Sequence, residues 1–201
     1  NTCTQQVTVN DSEVPTITCD ADITVSNDAG LCGANISLTA PATADNCGVL
    51  SVTNNAPATF PVGNTAVLWT VTDVNGNTNT CTQQVTVNDS EVPTITCAAD
   101  ITVSNDAGLC EASISLTAPA TADNCGVLSV SNNAPATFPV GVTNVLWTVT
   151  DIHNHTATCT QTVTVNDAEL PVAICKNATV TLNANGQATV TAAMINNNSS
   201  D

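Results

Sequence analysis

The side chains able to do chemistry here are few in kind: ten cysteines, seventeen carboxylates and two histidines, against a single cation, Lys176. Cys19, Cys32, Cys47 and Cys81 return as Cys97, Cys110, Cys125 and Cys159, with Cys3 before them and Cys175 after. Cysteines at fixed positions with no CxxC spacing point to disulfides and an oxidising compartment, rather than to zinc or iron–sulfur sites. His153 and His155 occur in one copy only, so they form no repeated nucleophile–base pair and read as surface turn residues. One acidic pair two residues apart, Asp20 and Asp22, is broken in the second copy, where Ala98 stands for Asp20. Catalytic residues and an organic cofactor are therefore not expected. Acidic residues beside Asn and Gly are the other chemical signal, and their type suits a hard cation.

These groups are positioned by a repeat. Asp11–Asn88 recurs as Asp89–Asn166, offset by 78 residues with about a dozen substitutions. Such regularity sets the architecture before any other reading. Residues 1–10 match Asn79–Asn88 and read as the tail of a preceding copy. Residues 167–201 keep Pro171 and Cys175, then diverge, and read as the truncated start of a different following repeat.

Within one copy, Pro15–Cys19 and Asp22–Ser26 read as extended, and Asn27–Gly30 as a turn. Ala34–Thr39 alternates apolar and polar residues as a half-buried strand does. Ala40–Asn46 reads as a loop, Val49–Thr53 as a strand and Ala58–Pro61 as a short edge segment. Thr65–Thr72 places Val67, Trp69 and Val71 on one face, Asp73–Asn77 turns, and Thr80–Val87 is the last strand. Trp69 is expected to plug the core. The pattern implies an all-β chain of tandem immunoglobulin-like β-sandwich modules in an extended array. A module this small buries limited apolar area and needs staples, which the cysteines supply.

The formal net charge is −16, so nucleic acid and anionic lipid surfaces are excluded as direct partners, since both need clustered Lys or Arg. Direct membrane insertion is not expected either. Apolar content of 42% and regular β-branched alternation argue against disorder.

The motifs PTITC, ADITV, TADNCG, FPVGNTAVLWTVTD with NGNT, and CTQQVTVNDSEVP, in this order, resemble the hyalin repeat (HYR) family. The four-cysteine form, with GLCGA and DNCG, resembles versions in very long surface proteins of Bacteroidetes-type bacteria. The resemblance implies an immunoglobulin-like fold, an extracellular, secreted or cell-surface location, a role in adhesion or surface structure, and no catalysis.

In that topology the first and last strands begin at the same end, which brings Cys19 to Cys81 and Cys97 to Cys159. Two-cysteine members of the family resemble this pair alone. Cys32 and Cys47 are harder to place. About seven strand residues, roughly 20 Å, separate their expected positions, whereas a disulfide needs Cα atoms within about 7 Å. The segment folds back to pair Cys32 with Cys47 (and Cys110 with Cys125), or Cys32 meets Cys125 of the next copy, or the bond runs to another chain. Pairing within a copy is favoured because both cysteines recur together.

The same topology converges Asp11, Glu13, Asp45, Asp73, Asn75 and Asn77 at one end of the first copy. Asp89, Glu91, Asp123 and Asp151 converge likewise in the second. Carboxylates without Lys or Arg nearby repel one another, and calcium, taking six to eight oxygen ligands, would relieve that. Cadherin-like junctions use the same logic to stiffen a linker. The second copy is the poorer site, because Ile152–His155 replaces the VNGN of the first and loses oxygen ligands.

The functional expectation is a structural repeat segment of an extracellular adhesin or surface filament, a rigid disulfide-stapled stalk or fibre. The alternative is an adhesion module that binds glycan or protein through its own loops. Expected partners are neighbouring repeats and other copies in a filament. A host, prey or surface glycan or protein would be reached through another part of the protein.

Overall fold

The structure, a computed structural model, describes residues Asn1–Ser200. The chain forms two compact units. The first is Asn1–Thr94 with Ala122–Ser129 and Thr150–Thr156, and the second is 95–121, 130–149 and the chain from Ala157 onward. Two loops of the second repeat therefore belong to the first unit, so the sequence boundary at Asp89 is not where compactness divides.

The first repeat carries β1 (Thr16–Thr18), β2 (Ile23–Ser26), β3 (Gly33–Ala34), β4 (Ala42–Ala44), β5 (Val49–Asn54), β6 (Phe60–Pro61), β7 (Gly63–Asp73) and β8 (Thr78–Asn88). A four-stranded sheet in the order β2-β8-β7-β5 is accompanied by two ribbons, β1-β4 and β3-β6. The second repeat has β9 (Thr94–Thr96), β10 (Ile101–Ser104), β11 (Glu111–Ala112), β12 (Ala120–Ala122), β13 (Val127–Asn132), β14 (Phe138–Pro139), β15 (Gly141–Asp151) and β16 (Thr156–Asn166), in the same arrangement. A four-residue helix, α1 (Ala192–Ile195), follows. The protein is all-β, built of tandem immunoglobulin-like sandwich modules.

The longest strands are the ones whose period is clearest. In β7, Val67, Trp69, Val71 and Asp73 are buried while Leu68 faces outward, as does Val74 in the turn that follows. It pairs with β8 over ten residues, setting Trp69 opposite Cys81 and Val67 opposite Gln83. β2 lies parallel to β8, Ile23 against Val85 and Val25 against Val87. The core gathers Phe60, Val67, Trp69, Val85 and Val87, with Ile17, Cys19 and Cys81 packed against it. Trp69 plugs this core as expected. Its indole N–H donates to Gln83 Oε1 at 3.4 Å, and Gln83 Nε2 donates to Ala21 O at 2.8 Å, so a buried amide is satisfied at both ends. Trp147 and Gln161 repeat this with Ala99.

Two expectations need correction. Ala34–Thr39 is not a strand beyond Ala34, although Ile36 and Leu38 do pack against the core. Alternation reports which side chains are buried, but a ladder needs a partner backbone. The partner β6 is only two residues long and begins at Phe60, opposite Ala34, so no extended backbone lies beyond it to pair with Asn35. Conversely, the expected loop Ala40–Asn46 contains β4, whose Thr43 faces Ile17 of β1.

Candidate functional site

The Asp73 turn shows how the acidic groups are placed. Asp73 Oδ1 accepts the backbone N–H groups of Asn75 and Asn77, each at 2.8 Å, and Oδ2 accepts Asn77 Nδ2 at 2.7 Å. Gly76 takes the positive φ, 94°, that closes the turn. Val74 N donates to Gly48 O at 3.1 Å, tying the turn to the DNCG loop. In that loop Asp45 Oδ2 accepts the N–H groups of Cys47 and Gly48 at 2.8 and 3.0 Å. Asn77 Nδ2 also reaches Asp11 O, at 3.4 Å, bringing the linker alongside.

Carboxylate oxygens of Asp11, Asp45 and Asp73 consequently lie within 4.8 Å of one another. Asp11 Oδ2 and Asp45 Oδ1 are buried with no hydrogen-bond partner among the described residues. Burial pushes the Asp73 carboxyl up, but the hydrogen bonds from Asn77, Asn75 and Gly76 outweigh it and hold it below its ordinary value of 3.8. The neighbouring Asp11 carboxylate favours a neutral Cys47 S–H. With burial and the charges of Asp11, Asp45 and Asp73, it holds that thiol above its ordinary value. Three carboxylates with two orphaned oxygens fit a hard cation by donor type.

The second copy keeps the frame and changes the filling. Asp151 Oδ1 accepts the N–H groups of His153 and His155 at 2.8 and 2.9 Å, and Asn154 takes the positive φ, 72°, in place of Gly76. Asn tolerates this region better than most residues. His155 Nδ1 sits 2.9 Å from Asp151 Oδ2, where Asn77 Nδ2 sits in the first copy. His153 Nδ1 lies 2.8 Å from Asp89 Oδ2, the counterpart of the orphaned Asp11 Oδ2. Burial again pushes Asp151 up, while hydrogen bonds from His155 and His153 and the charge of His155 hold it below its ordinary value. Asp123 repeats the Asp45 turn toward Cys125 and Gly126. Its Oδ1, like Asn124 Oδ1, is buried and unpartnered among the described residues. The histidines are thus part of the acidic cluster, not free turn residues. Substitution at the two positions that touch the carboxylates was the signal for this.

Two expected ligands stand elsewhere, and two more stand at the cluster as donors, not as oxygen ligands. Glu13 is exposed, and Glu91 Oε1 points to the other end of the first repeat, accepting Gly30 N at 2.6 Å and Asn27 Nδ2 at 3.2 Å. Asn75 offers its backbone N–H, and Asn77 turns its amide nitrogen toward the carboxylates. A flexible acidic side chain takes whichever donor is near, and sequence separation does not reveal which that is.

The cysteines also divide. Disulfides join Cys19 to Cys81 and Cys97 to Cys159, as expected. Cys32 is bonded to Cys125, with Cα atoms 4.7 Å apart, and not to Cys47. The favoured pairing within a copy is overturned for a physical reason. Cys32 sits at the Asn27–Gly33 turn, reached by Ser90 and Glu91 as the chain leaves the repeat, whereas Cys47 sits beside Asp11, where the chain enters. The 11 residues of β8 separate these ends, roughly 35 Å of strand. Asn124 Nδ2 donates to Leu31 O at 3.0 Å beside the bond. Cys47 and Cys110, expected to be bridged, are exposed free thiols, as are Cys3 and Cys175.

Residues 10–87 and 88–165 each match the HYR domain family. Hyalin of Strongylocentrotus purpuratus is 30% identical over 179 residues, covering 83% of this chain and 15% of that protein. Hyalin of Lytechinus variegatus is 34% identical over 173 residues, covering 81% and 33%. The sushi, von Willebrand factor type A, EGF and pentraxin domain-containing protein 1 of Rattus norvegicus is 31% identical over 164 residues, covering 77% and 4%. The chain thus spans a third or less of these relatives' lengths. None of them bears on the bacterial four-cysteine variant, which stays an expectation. The crystal structure of Drosophila N-cadherin EC1-4 aligns at 10% identity with a TM-score of 0.41, over 77% of this chain and 50% of that one. With both repeats matched end to end, the chain belongs to the HYR domain family and carries two HYR domains in tandem.

Proposed function

We propose that this chain is a structural, adhesion-type segment of an extracellular protein, a disulfide-stapled stalk or fibre in which binding and mechanics replace catalysis. The observation that carries the reading is the Cys32–Cys125 bond, which covalently ties one repeat to the next. The Glu91 clamp on Gly30 and Asn27 supports it, because it holds the linker against the turn that bears Cys32. Family membership and a cysteine-rich composition suited to an oxidising compartment agree with a secreted or cell-surface location. Neighbouring repeats are the immediate partners, and any glycan or protein target is engaged through other parts of the protein.

Calcium belongs to this proposal at Asp11, Asp45 and Asp73, where orphaned carboxylate oxygens converge. Its role would be to neutralise the cluster and stiffen the entry to the repeat. The test of the stalk reading is small-angle scattering of the whole chain, oxidised, against the Cys32→Ser/Cys125→Ser variant. The stalk reading expects one well-defined maximum dimension that broadens when the bond is lost. Identical profiles would remove the mechanical role assigned to this disulfide.

A further inference from the structure

The bond between Cys32 and Cys125 joins two standard parts, a GLC turn and a DNCG loop, and each part exists a second time. The second turn holds Cys110 and the second loop holds Cys47, and both thiols are exposed and free. We propose that Cys110 and Cys47 are complementary halves of the same cross-link, a GLC turn taking the DNCG loop of an adjoining repeat in the same chain or in another copy, so that Cys110 of one copy is competent to bond Cys47 of a second.

Both halves are already built in the bonded conformation. In the turns, Leu31 N donates to Asp28 O and Leu109 N to Asp106 O, each at 2.9 Å. Asp28 Oδ2 accepts Asn35 N, and Asp106 Oδ2 accepts Ser113 N, each at 2.9 Å. Glu91 Oε1 accepts Gly30 N at 2.6 Å, and Glu169 Oε1 accepts Gly108 N at 2.8 Å. In the loops, Asp45 and Asp123 each fold their own chain by accepting the next two N–H groups but one, with the cysteine N–H at 2.8 Å in both. What differs is occupancy. Asn124 is half-buried and donates to Leu31 O, while Asn46 and Cys47 stand exposed. The bare loop therefore offers Asn46 Nδ2 to Leu109 O of a second copy beside the new disulfide. Docking needs little reorganisation, because ordering costs are largely met in the isolated chain.

The chemistry is thiol–disulfide exchange with a small disulfide such as oxidised glutathione. The Cys110 thiolate attacks it, forming a mixed disulfide and releasing one reduced thiol. Cys47 of the second copy then attacks the Cys110 sulfur, releasing the second reduced thiol. Two protein thiols are oxidised, one small disulfide is reduced, and the protons leave on the two released thiols. The inference stands on the loop geometry and not on the stalk reading; copies that link without stiffening would fail only the latter.

The test uses the full chain carrying Cys3→Ser and Cys175→Ser, which removes the other exposed thiols. In a glutathione redox buffer this chain should form a concentration-dependent ladder, with Cys110–Cys47 peptides recovered by mass mapping. Adding Cys47→Ser to one preparation and Cys110→Ser to another should stop each ladder. Mixing the two in equal amounts should give a heterodimer exceeding either homodimer about twentyfold, which is about tenfold over the statistical factor of about two and equivalent to about 1.4 kcal/mol of docking preference. Asn46→Ala should lower that yield while Cys19–Cys81 and Cys32–Cys125 stay intact. A heterodimer no more than about twice as abundant as either homodimer, the random-pairing ratio, or a Cys47–Cys110 bond closed within single chains at all concentrations, would overturn the proposal.

Discussion

The two acidic loop clusters are built on one backbone plan and filled differently. Around Asp11, Asp45 and Asp73, two buried carboxylate oxygens are left without partners, and the adjoining Cys47 is free. Around Asp89, Asp123 and Asp151, His153 and His155 place ring nitrogens on the carboxylates, and Cys125 is bonded. The fold asks only that the Asp73 and Asp151 turns close, which both sequences achieve. What sits on the outer carboxylate oxygens is then free to vary. In the first copy Asp11 Oδ2 and Asp45 Oδ1 both stand without partners, and in the second His153 meets the counterpart of Asp11 Oδ2 while Asp123 Oδ1, the counterpart of Asp45 Oδ1, stays unpartnered.

The largest expected effect is on the bonded side. Cys32→Ser/Cys125→Ser opens a cross-link spanning 93 residues and should cost roughly 4 kcal/mol in the chain-entropy model, read by denaturant titration. Removing the free thiols, Cys47→Ser/Cys110→Ser, should leave monomer stability unchanged.

Next comes calcium. At a concentration about a hundred times its dissociation constant, the bound state gains about 2.7 kcal/mol. Melting at constant ionic strength should show a rise with calcium that chelator reverses. Asp45→Asn should abolish it, and Asn75→His/Asn77→His should convert the first cluster to the self-filled type and abolish it too. His153→Asn/His155→Asn should add a second calcium response. A chain that melts identically in calcium and chelator would remove the cation from this proposal.

A smaller effect follows from the hydrogen bonds on Asp73 and Asp151. Both carboxyls are held below their ordinary value, so they stabilise the fold above about pH 4. That contribution fades as pH falls through the lowered folded values, because the unfolded chain takes up the proton first. Asp73→Asn/Asp151→Asn should flatten the loss of stability as pH falls below about 4.

The smallest is kinetic. Cys47 is raised chiefly by Asp11, and the thiolate is the reactive form, so alkylation of Cys47 at neutral pH should be slow. Asp11→Asn should speed it, with Cys110 as the reference thiol in the same chain.

Much of this was legible in residues alone. The offset of the repeat, the Val67–Trp69–Val71 face, the Cys19–Cys81 pairing and the convergence of Asp11, Asp45 and Asp73 all follow from periodicity, topology and turn chemistry. These depend on neighbours along the chain or on one well-determined strand order. Tertiary structure decided the rest. Cys32 faced three partners of equal chemistry, and only the position of the exit turn against the next loop selected Cys125. Glu91 looked like a partner for the acids beside it in sequence but lies against the N–H of Gly30. His153 and His155 resembled ordinary turn residues until the turn aimed their rings at Asp89 and Asp151. In each case residue type set what a side chain could bond, while which partner it met depended on distances between segments far apart in the chain, which no local pattern encodes.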